Sequence, residues 1–554
     1  MTVVVGGQPA SAVRVRGRGL PGLSRTGGPW LVGGAVAALW AWAGLMREWT
    51  MRTGIDLGLY AQAVEHYSRG QWPWSPLKAQ GDFNLLGDHF TPIVAVLGPV
   101  YRVWPHVETL IVAQAVLIGL AVTVVGRTAI RVFDHAGAGC AVAAAFGLSW
   151  GVTGAALFDF HEVAFALPLL AACLDRALAV RWRAAVLWSL PLLLVKEDSA
   201  FLIAGLAIAC WTVGLRRLAI AAMAAAVAGF ALVVGVVIPA LSYSGTYTYW
   251  AVTGDARGPV SSPIGMLGNL WTALTSGSAP VTVLLAMACT GFLALRSPLA
   301  WVAVPSLLVR FTSARPEYWG PESHYNATLM VVVFVAALDG WRRHGSMLSG
   351  MPGRISARTA GATALVLALV IGWWTPLRTI IEPDAYRCGD RCSAAHEILA
   401  RIPDGATVMA DTFLVDQLVS RTRVHLVAEN LLDSTGHPIE AEWIALDTSN
   451  RGTFPHESAG YWWGANAAQS SGYVPVWAST TGFILLRRNP AAAKAFLHMY
   501  GTVACAASTA EAELCTTPPG DDTYRTRTAW CGTVEPPHTV HRCPPGAYLK
   551  PYRP

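Results

Sequence analysis

Apolar runs, each about the length of a bilayer crossing, fill the first 380 residues of this 554-residue chain and leave few folds open to it. About 20 mostly apolar residues cross a hydrocarbon core, and the absence of water there forces the backbone to pair within a helix. Eleven such spans are expected, near 30–47, 107–126, 138–157, 163–180, 184–196, 199–214, 218–240, 280–295, 298–312, 324–340 and 359–378, the fifth and sixth being short. Pro168, Pro191 and Pro305 fall inside spans, where neighbouring helices can satisfy the freed carbonyls. Composition agrees: 53% of residues are hydrophobic and 13% charged, against about 25% charged in a soluble domain. The net charge of +6 is carried by arginines scattered among apolar segments. That distribution excludes a nucleic-acid-binding stripe and fits membrane orientation.

Residues 1–29 form a basic arm with Arg14, Arg16, Arg18 and Arg25, without a small-residue cleavage site after the first apolar stretch. Residues 30–379 constitute the membrane domain. Arg127/Arg131, Arg181/Arg183, Arg216/Arg217, Arg296 and Arg342/Arg343/Arg354/Arg358 occupy alternate junctions with few acids among them. The positive-inside rule then places the N-terminus in the cytoplasm, and an odd number of spans places the C-terminus outside, in a multi-pass protein of a bacterial plasma membrane. A long first outer loop (48–106) contains an amphipathic helical candidate from Asp56 to Arg69 and an interfacial Trp72-Pro73-Trp74. A second outer loop (241–279) is rich in Tyr243, Tyr247, Tyr249 and Trp250.

After Pro376 the texture changes. Short apolar runs at 407–411, 424–427, 443–447 and 482–486, with helical stretches at 392–402 and 412–420, indicate a small α/β domain (380–500) with a partly parallel sheet. Residues 501–554 form a Cys- and Pro-rich tail. Cys140, Cys173, Cys210 and Cys289 lie within apolar spans, whereas Cys388, Cys392, Cys505, Cys515, Cys531 and Cys543 all lie in the C-terminal part. An even set there fits disulfides in an oxidising compartment; zinc on Cys388/Cys392 with His538 and His541 is the rival reading, and the spacings match no compact zinc module.

The other junctions collect acids and histidines. Asp56 follows the first span, where its simplest role is to cap the next helix and its functional role would be a general base. Asp88-His89 precedes Pro92, and Asp159-Phe-His161-Glu162 places two carboxylates three apart, as on one helix face. His89, Asp88, Asp159, His161 and Glu162 together offer donors for a divalent metal ion, without an Asp-x-Asp or His-x-x-x-His spacing to specify one. Lys196-Glu197-Asp198 interrupts one long apolar run, at a few kcal/mol per charge unless paired or hydrated. Arg310 and Arg315, with Glu322-Ser-His324-Tyr325, complete the outer ring, an arginine fork being suited to phosphate.

In their order, Gly-Ile-Asp-Leu-Gly-Leu-Tyr (54–60), Leu-Gly-Asp-His-Phe-Thr-Pro (86–92), Phe-His-Glu (160–162), Leu-Val-Lys-Glu-Asp (194–198) and His-Tyr-Asn (324–326) resemble the bacterial membrane family named domain of unknown function 2079, over about residues 50–490. That family is similar to the C-type glycosyltransferases (GT-C fold), which use a polyprenyl-phosphate sugar and an acid in the first outer loop. The resemblance implies an inverting glycosyltransferase that moves a sugar from a polyprenyl-phosphate donor to a glycan or other envelope acceptor. Asp56 would be the catalytic base. Lys196, Arg310, Glu197, Asp198, His324 and Tyr325 would bind substrate and lipid phosphate. Membrane lipids are the expected surroundings, and no cofactor is required, a divalent metal being the one option left open. Two other classes compete: a secondary transporter or flippase of envelope precursors, which would place its charges near the midplane, and a non-catalytic glycan-binding scaffold, which would tolerate loss of Asp56 and Glu197.

Overall fold

The computed structural model describes residues 25–78, 83–242, 244–249, 263–322, 324–347, 356–426, 441–447 and 473–488. The expectations for most of the N-terminal arm, Tyr243, Trp250, Arg354, the tail cysteines Cys505, Cys515, Cys531 and Cys543, and His538 and His541 fall outside these residues. The described chain is mostly helical, with a small C-terminal sheet.

Among the described residues three helices are long and apolar enough to cross a membrane alone: α1 (Gly27–Trp49), α3 (Glu108–Phe133) and the run Arg216–Leu241; α2 (Ile55–Ser68), between the first two, is too short. The number rises to five if each of two bent pairs, Ala136–Gly147 with Trp150–Ala156 and Ile264–Thr275 with Ser278–Ala288, is one span. Most other expected spans are shorter or interrupted, whereas the one expected at 324–340 is a continuous helix from Ala327 to Met347. Pro191 opens the short 3₁₀ segment Leu190–Leu194, and Pro305 sits in the first turn of Val304–Phe311, so both mark helix starts and only Pro168 lies inside a helix. The loop expected over 241–279 is helical from Pro263 to Thr275. Leu31, Leu187, Val227, Leu232, Ile264, Leu284 and Val366 are exposed, an apolar surface suited to lipid.

Glycines permit the closest helix crossing. A Cβ on Gly119 of α3 would stand 2.6 Å from the Gly33 carbonyl oxygen of α1, and one on Gly33 would stand 2.5 Å from that of Gly119. With no side chain between them, the two backbones touch, as small residues allow between membrane helices.

The helices run between two polar belts. At one end Arg131 and Arg176 pair with Asp175, Arg342 and Arg343 with Asp339, and Arg25 with Asp134. Arg342 also donates to the Leu178 carbonyl at 3.0 Å, and Arg358 to His135 Nε2 at 2.7 Å. Of the junction arginines of the sequence, Arg131, Arg342, Arg343 and Arg358 lie in this belt. At the other end lie Gln114 of α3, Glu162 before α4 (Val163–Leu178), and His324 and Asn326 before α5 (Ala327–Met347). Along α3 the step from Gln114 to Arg131 is about 25 Å at 1.5 Å per residue.

The C-terminal domain packs on this second end. Helix α6 (Asp390–Ala400) precedes a five-stranded sheet of β1 (Thr407–Ala410), β2 (Arg423–Leu426), β3 (Trp443–Asp447), β4 (Tyr473–Ala478) and β5 (Phe483–Arg488), in the order β2-β1-β3-β5-β4. The first three strands are parallel; β5 is antiparallel to β3 and β4. Gln417 donates to the Glu48 carbonyl at 3.2 Å, His396 Nε2 lies 2.8 Å from the Trp49 carbonyl, and Gln62 donates to the Val424 carbonyl at 3.2 Å. This docking corrects one expectation. Instead of lying amphipathic on the membrane surface, α2 is buried continuously from Leu57 to Val64, because the C-terminal domain covers the face that would otherwise meet water.

Within this domain Asp411 follows β1, fully buried, and its Oδ2 accepts the Asp447 N–H at 2.5 Å. Burial, reinforced by the Asp447 carboxylate, pushes its carboxyl up to about 8 against the opposing pull of that hydrogen bond and of Arg391. Between about pH 4 and about pH 8 the folded domain thus keeps a proton that the unfolded chain has released, so its stability falls as pH rises through that window. Asp411→Asn is expected to flatten this dependence, as measured by thermal unfolding of the full-length protein from about pH 4 to about pH 9. An unchanged slope would remove Asp411 as its source.

Candidate functional site

A cavity of about 380 Å³ opens among the polar groups of the second belt. Its lining is mixed, with the apolar Phe201, Leu202, Phe230, Met266 and Val309 beside the polar His89, Glu162, Lys196, Glu197, Asp198, Arg310, His324 and Tyr325. Every residue expected to bind substrate or lipid phosphate therefore lines this one cavity. Asp198 makes no hydrogen bond or ion pair among the described residues and presents its side chain to the cavity.

The charges are held in pairs. Lys196, in extended backbone before the short turn Glu197–Ser199, reaches Glu162 Oε1 at 3.0 Å, and the Tyr60 hydroxyl donates to the other oxygen of Glu162. Glu197 is gathered by three groups: His89 Nδ1 lies 2.7 Å from its Oε1, the Phe90 N–H donates to Oε2 at 3.0 Å, and the Tyr247 hydroxyl donates to Oε1 at 3.1 Å. Tyr249 stacks on His89 with centroids 4.2 Å apart. Hence Lys196-Glu197-Asp198 is no solvated hairpin. Its lysine and glutamate are built into a network that spans four junctions.

Arg310 differs. Its guanidinium donates to the carbonyls of Tyr318 (3.0 Å) and Tyr325 (3.1 Å) and to Asn326 Oδ1 (3.0 Å), all neutral oxygens. No carboxylate bonds it among the described residues, so the half-buried guanidinium, always protonated in ordinary conditions, brings a positive charge to the cavity wall.

Asp56 lies outside that wall. It occupies the first turn of α2, its side chain 38% exposed, with Oδ2 3.6 Å from His161 Nε2. The expected cap role is overturned: Gly54 is the N-cap, and the carboxylate of Asp159, from the far side of the fold, accepts the Gly54 N–H at 2.9 Å. Asp56 is thereby spared for other work. His161 is fixed by its own N–H, which donates to Gln114 Oε1 at 3.0 Å, and by Nδ1, 3.2 Å from the Asp159 carbonyl. Its ring stacks on that of His324 with centroids 3.8 Å apart, and His324 Nδ1, buried, has no hydrogen-bond partner among the described residues. A line of side chains thus leads from half-exposed Asp56 through His161 and His324 to the cavity.

The donors considered for a metal are otherwise engaged. Asp88 pairs with Lys78 at 2.8 Å, His89 with Glu197, Asp159 with Gly54, and Glu162 with Lys196. Asp159 and Glu162 do not share a helix face, since α4 begins only at Val163. Among the described residues the ligand-type atoms that converge are those of Cys388, Cys392 and His396, and the two sulfurs are joined to each other as a disulfide. That disulfide accounts for two of the six expected cysteines. The four cysteines of the apolar spans are free and buried.

Sequence reading missed three contributors. Gln114, a polar side chain in an otherwise apolar span, was the available signal for the residue that holds His161; Asn326 and Tyr60 stood inside the quoted motifs without a role.

Residues 47–485 match the family described as "Predicted membrane protein (DUF2079)". The match covers most of the chain and takes in both belts and the sheet, and the chain belongs to that family. No curated protein matches it.

Proposed function

We propose that this DUF2079 membrane protein is an inverting glycosyltransferase of the GT-C type, moving a sugar from a polyprenyl-phosphate donor to an envelope acceptor on the extracytoplasmic face. The observation that carries the reading is the cavity itself: apolar lining residues for a lipid chain, a half-buried Arg310 with no carboxylate bonded to it among the described residues for its phosphate, and Asp56 at the exposed end of a line leading into it. Polyprenyl phosphate joins an apolar chain to a charged head, and the two kinds of lining residue match the two parts.

In the proposed reaction Asp56 takes the proton of the acceptor hydroxyl as that oxygen attacks the anomeric carbon. The bond from that carbon to the phosphate oxygen breaks, and the electron pair leaves with polyprenyl phosphate, whose charge Arg310 and Lys196 stabilise. One displacement without a protein nucleophile inverts the anomeric configuration. Glu197, Asp198, His324 and Tyr325 would hold the sugar. Among the described residues Asp88, His89, Asp159 and Glu162 are paired with other protein groups, and the proposed step uses the carboxylate and the cations. The proposal keeps eleven passes with the N-terminus inside, on the positive-inside bias of the junction arginines in the sequence.

The test compares cell-envelope glycans and lipid-linked sugars with and without the protein. A lost glycan decoration together with accumulated polyprenyl-phosphate sugar is expected. Unchanged glycans and unchanged lipid-linked pools would sink the proposal, and donor confined to the inner leaflet would favour a flippase instead.

A further inference from the structure

A second cavity, of about 430 Å³, lies between the end of α1 and the C-terminal domain. Three arginines, Arg52, Arg387 and Arg391, line it, and no carboxylate does. Arg52 and Arg387 converge on one residue, Arg52 donating to the Asp384 carbonyl at 2.7 Å and Arg387 to the Asp384 carboxylate at 3.3 Å. The Arg387–Asp384 pair is highly exposed on both sides (75% and 89%), and such pairs contribute little. Arg391 pairs with Asp447 behind the wall, and its guanidinium lies 4.8 Å over the Phe483 ring. Asp447 thus compensates Arg391 and the exposed Asp384 compensates Arg387 only weakly, while Arg52 meets a neutral carbonyl, so the wall that bears these arginines is net positive.

The fold places this cavity where an open α/β sheet takes ligands. From β1 the chain passes to β2 on one side and then to β3 on the other, so the carboxyl ends of β1 and β3 flank a topological switch point. Phe413, just beyond β1, and Phe483, opposite Asp447 of β3, both line the cavity. At the same place α6 begins: its N-cap, Gly389, is on the wall, and no side chain caps it. First-turn amides and arginine forks are the two donor types that phosphate prefers.

We infer that this cavity is an anion-binding site of the C-terminal domain and takes a phosphate group, either on a lipid headgroup or on a soluble ligand. It is separate from the 380 Å³ cavity and does not rest on the glycosyltransferase reading. The site would tie the C-terminal domain to the end of α1 through its ligand, because Arg52 comes from the membrane part and Arg387 and Arg391 from the domain above.

The test uses the full-length protein in nanodiscs of zwitterionic lipid, titrated with inorganic phosphate and read by thermal shift. Phosphate is expected to raise the unfolding temperature of the wild type, and R52Q/R387Q to weaken its apparent affinity at least tenfold, while R378Q, at an exposed arginine off the wall, leaves it unchanged. In nanodiscs containing phosphatidylglycerol, native mass spectrometry separates the sources. Anionic lipid retained by the wild type and lost from R52Q/R387Q identifies a headgroup; phosphate binding undiminished by that lipid identifies a soluble ligand. Should the double variant misfold, R387Q alone changes a highly exposed side chain and keeps the comparison. Neither phosphate nor anionic lipid bound by the wild type, or both bound equally by the variants, overturns the site. D56N should retain phosphate binding, so this inference and the transferase reading fail separately.

Discussion

Asp56→Asn is expected to lower the rate of sugar transfer by about 10²–10⁴-fold, the range typical for loss of a general base, with little change in stability. The expectation of an intact fold comes from the geometry of α2. Had Asp56 been the N-cap, the asparagine would have tested capping and chemistry together. Instead Gly54 is the cap and Asp159 accepts its N–H, so the start of the helix is held from another segment. Asparagine matches aspartate in shape and can still reach His161, 3.6 Å away, but it cannot take a proton from an acceptor hydroxyl. The measurement is transfer from a polyprenyl-phosphate sugar by purified protein, with thermal unfolding of the same sample. Wild-type rates from a well-folded variant would remove Asp56 as the base and point instead to Asp198, the cavity carboxylate without a hydrogen-bond partner among the described residues.

How much of this was legible in the sequence depends on whether the signal was local. Charges inside apolar runs are conspicuous because they are costly there, which is why Lys196, Glu197, Arg310 and His324, which line one cavity, stand out in the sequence. The strands β1, β2, β3 and β5 were similarly visible as short apolar runs. Strand β4 was not: Pro475 and a register shift between Pro475 and Trp477 break its pattern, as an edge strand permits. The tie at the start of α2 could not be read, because Asp159, which accepts the N–H of the Gly54 cap, is more than 100 positions away, and the burial of α2 is imposed by the docked domain. Pairing is also a property of the fold. Lys196 and Glu162 look like two independent candidates in the sequence, yet each determines what the other can do.

That coupling predicts the largest stability effect. Lys196→Met would leave the Glu162 carboxylate, 1% exposed, without the ammonium 3.0 Å from it. Removing one partner of a buried ion pair typically destabilises by about 3–5 kcal/mol, because the remaining charge is desolvated without compensation. Tyr60 still donates to one oxygen of Glu162, which softens the loss without neutralising the charge. The single variant should therefore unfold at a markedly lower temperature. Adding Glu162→Gln removes the orphaned charge, and the double variant should recover most of the lost stability, since paired charges and neutral groups of similar shape are often equivalent in a buried site. Activity separates the two roles that Lys196 could play. If it stabilises the departing phosphate, the double variant stays slow although it is folded, because the cation is gone in both. If Lys196 serves only to neutralise Glu162, activity returns with stability, and Arg310 alone is left to receive the leaving group.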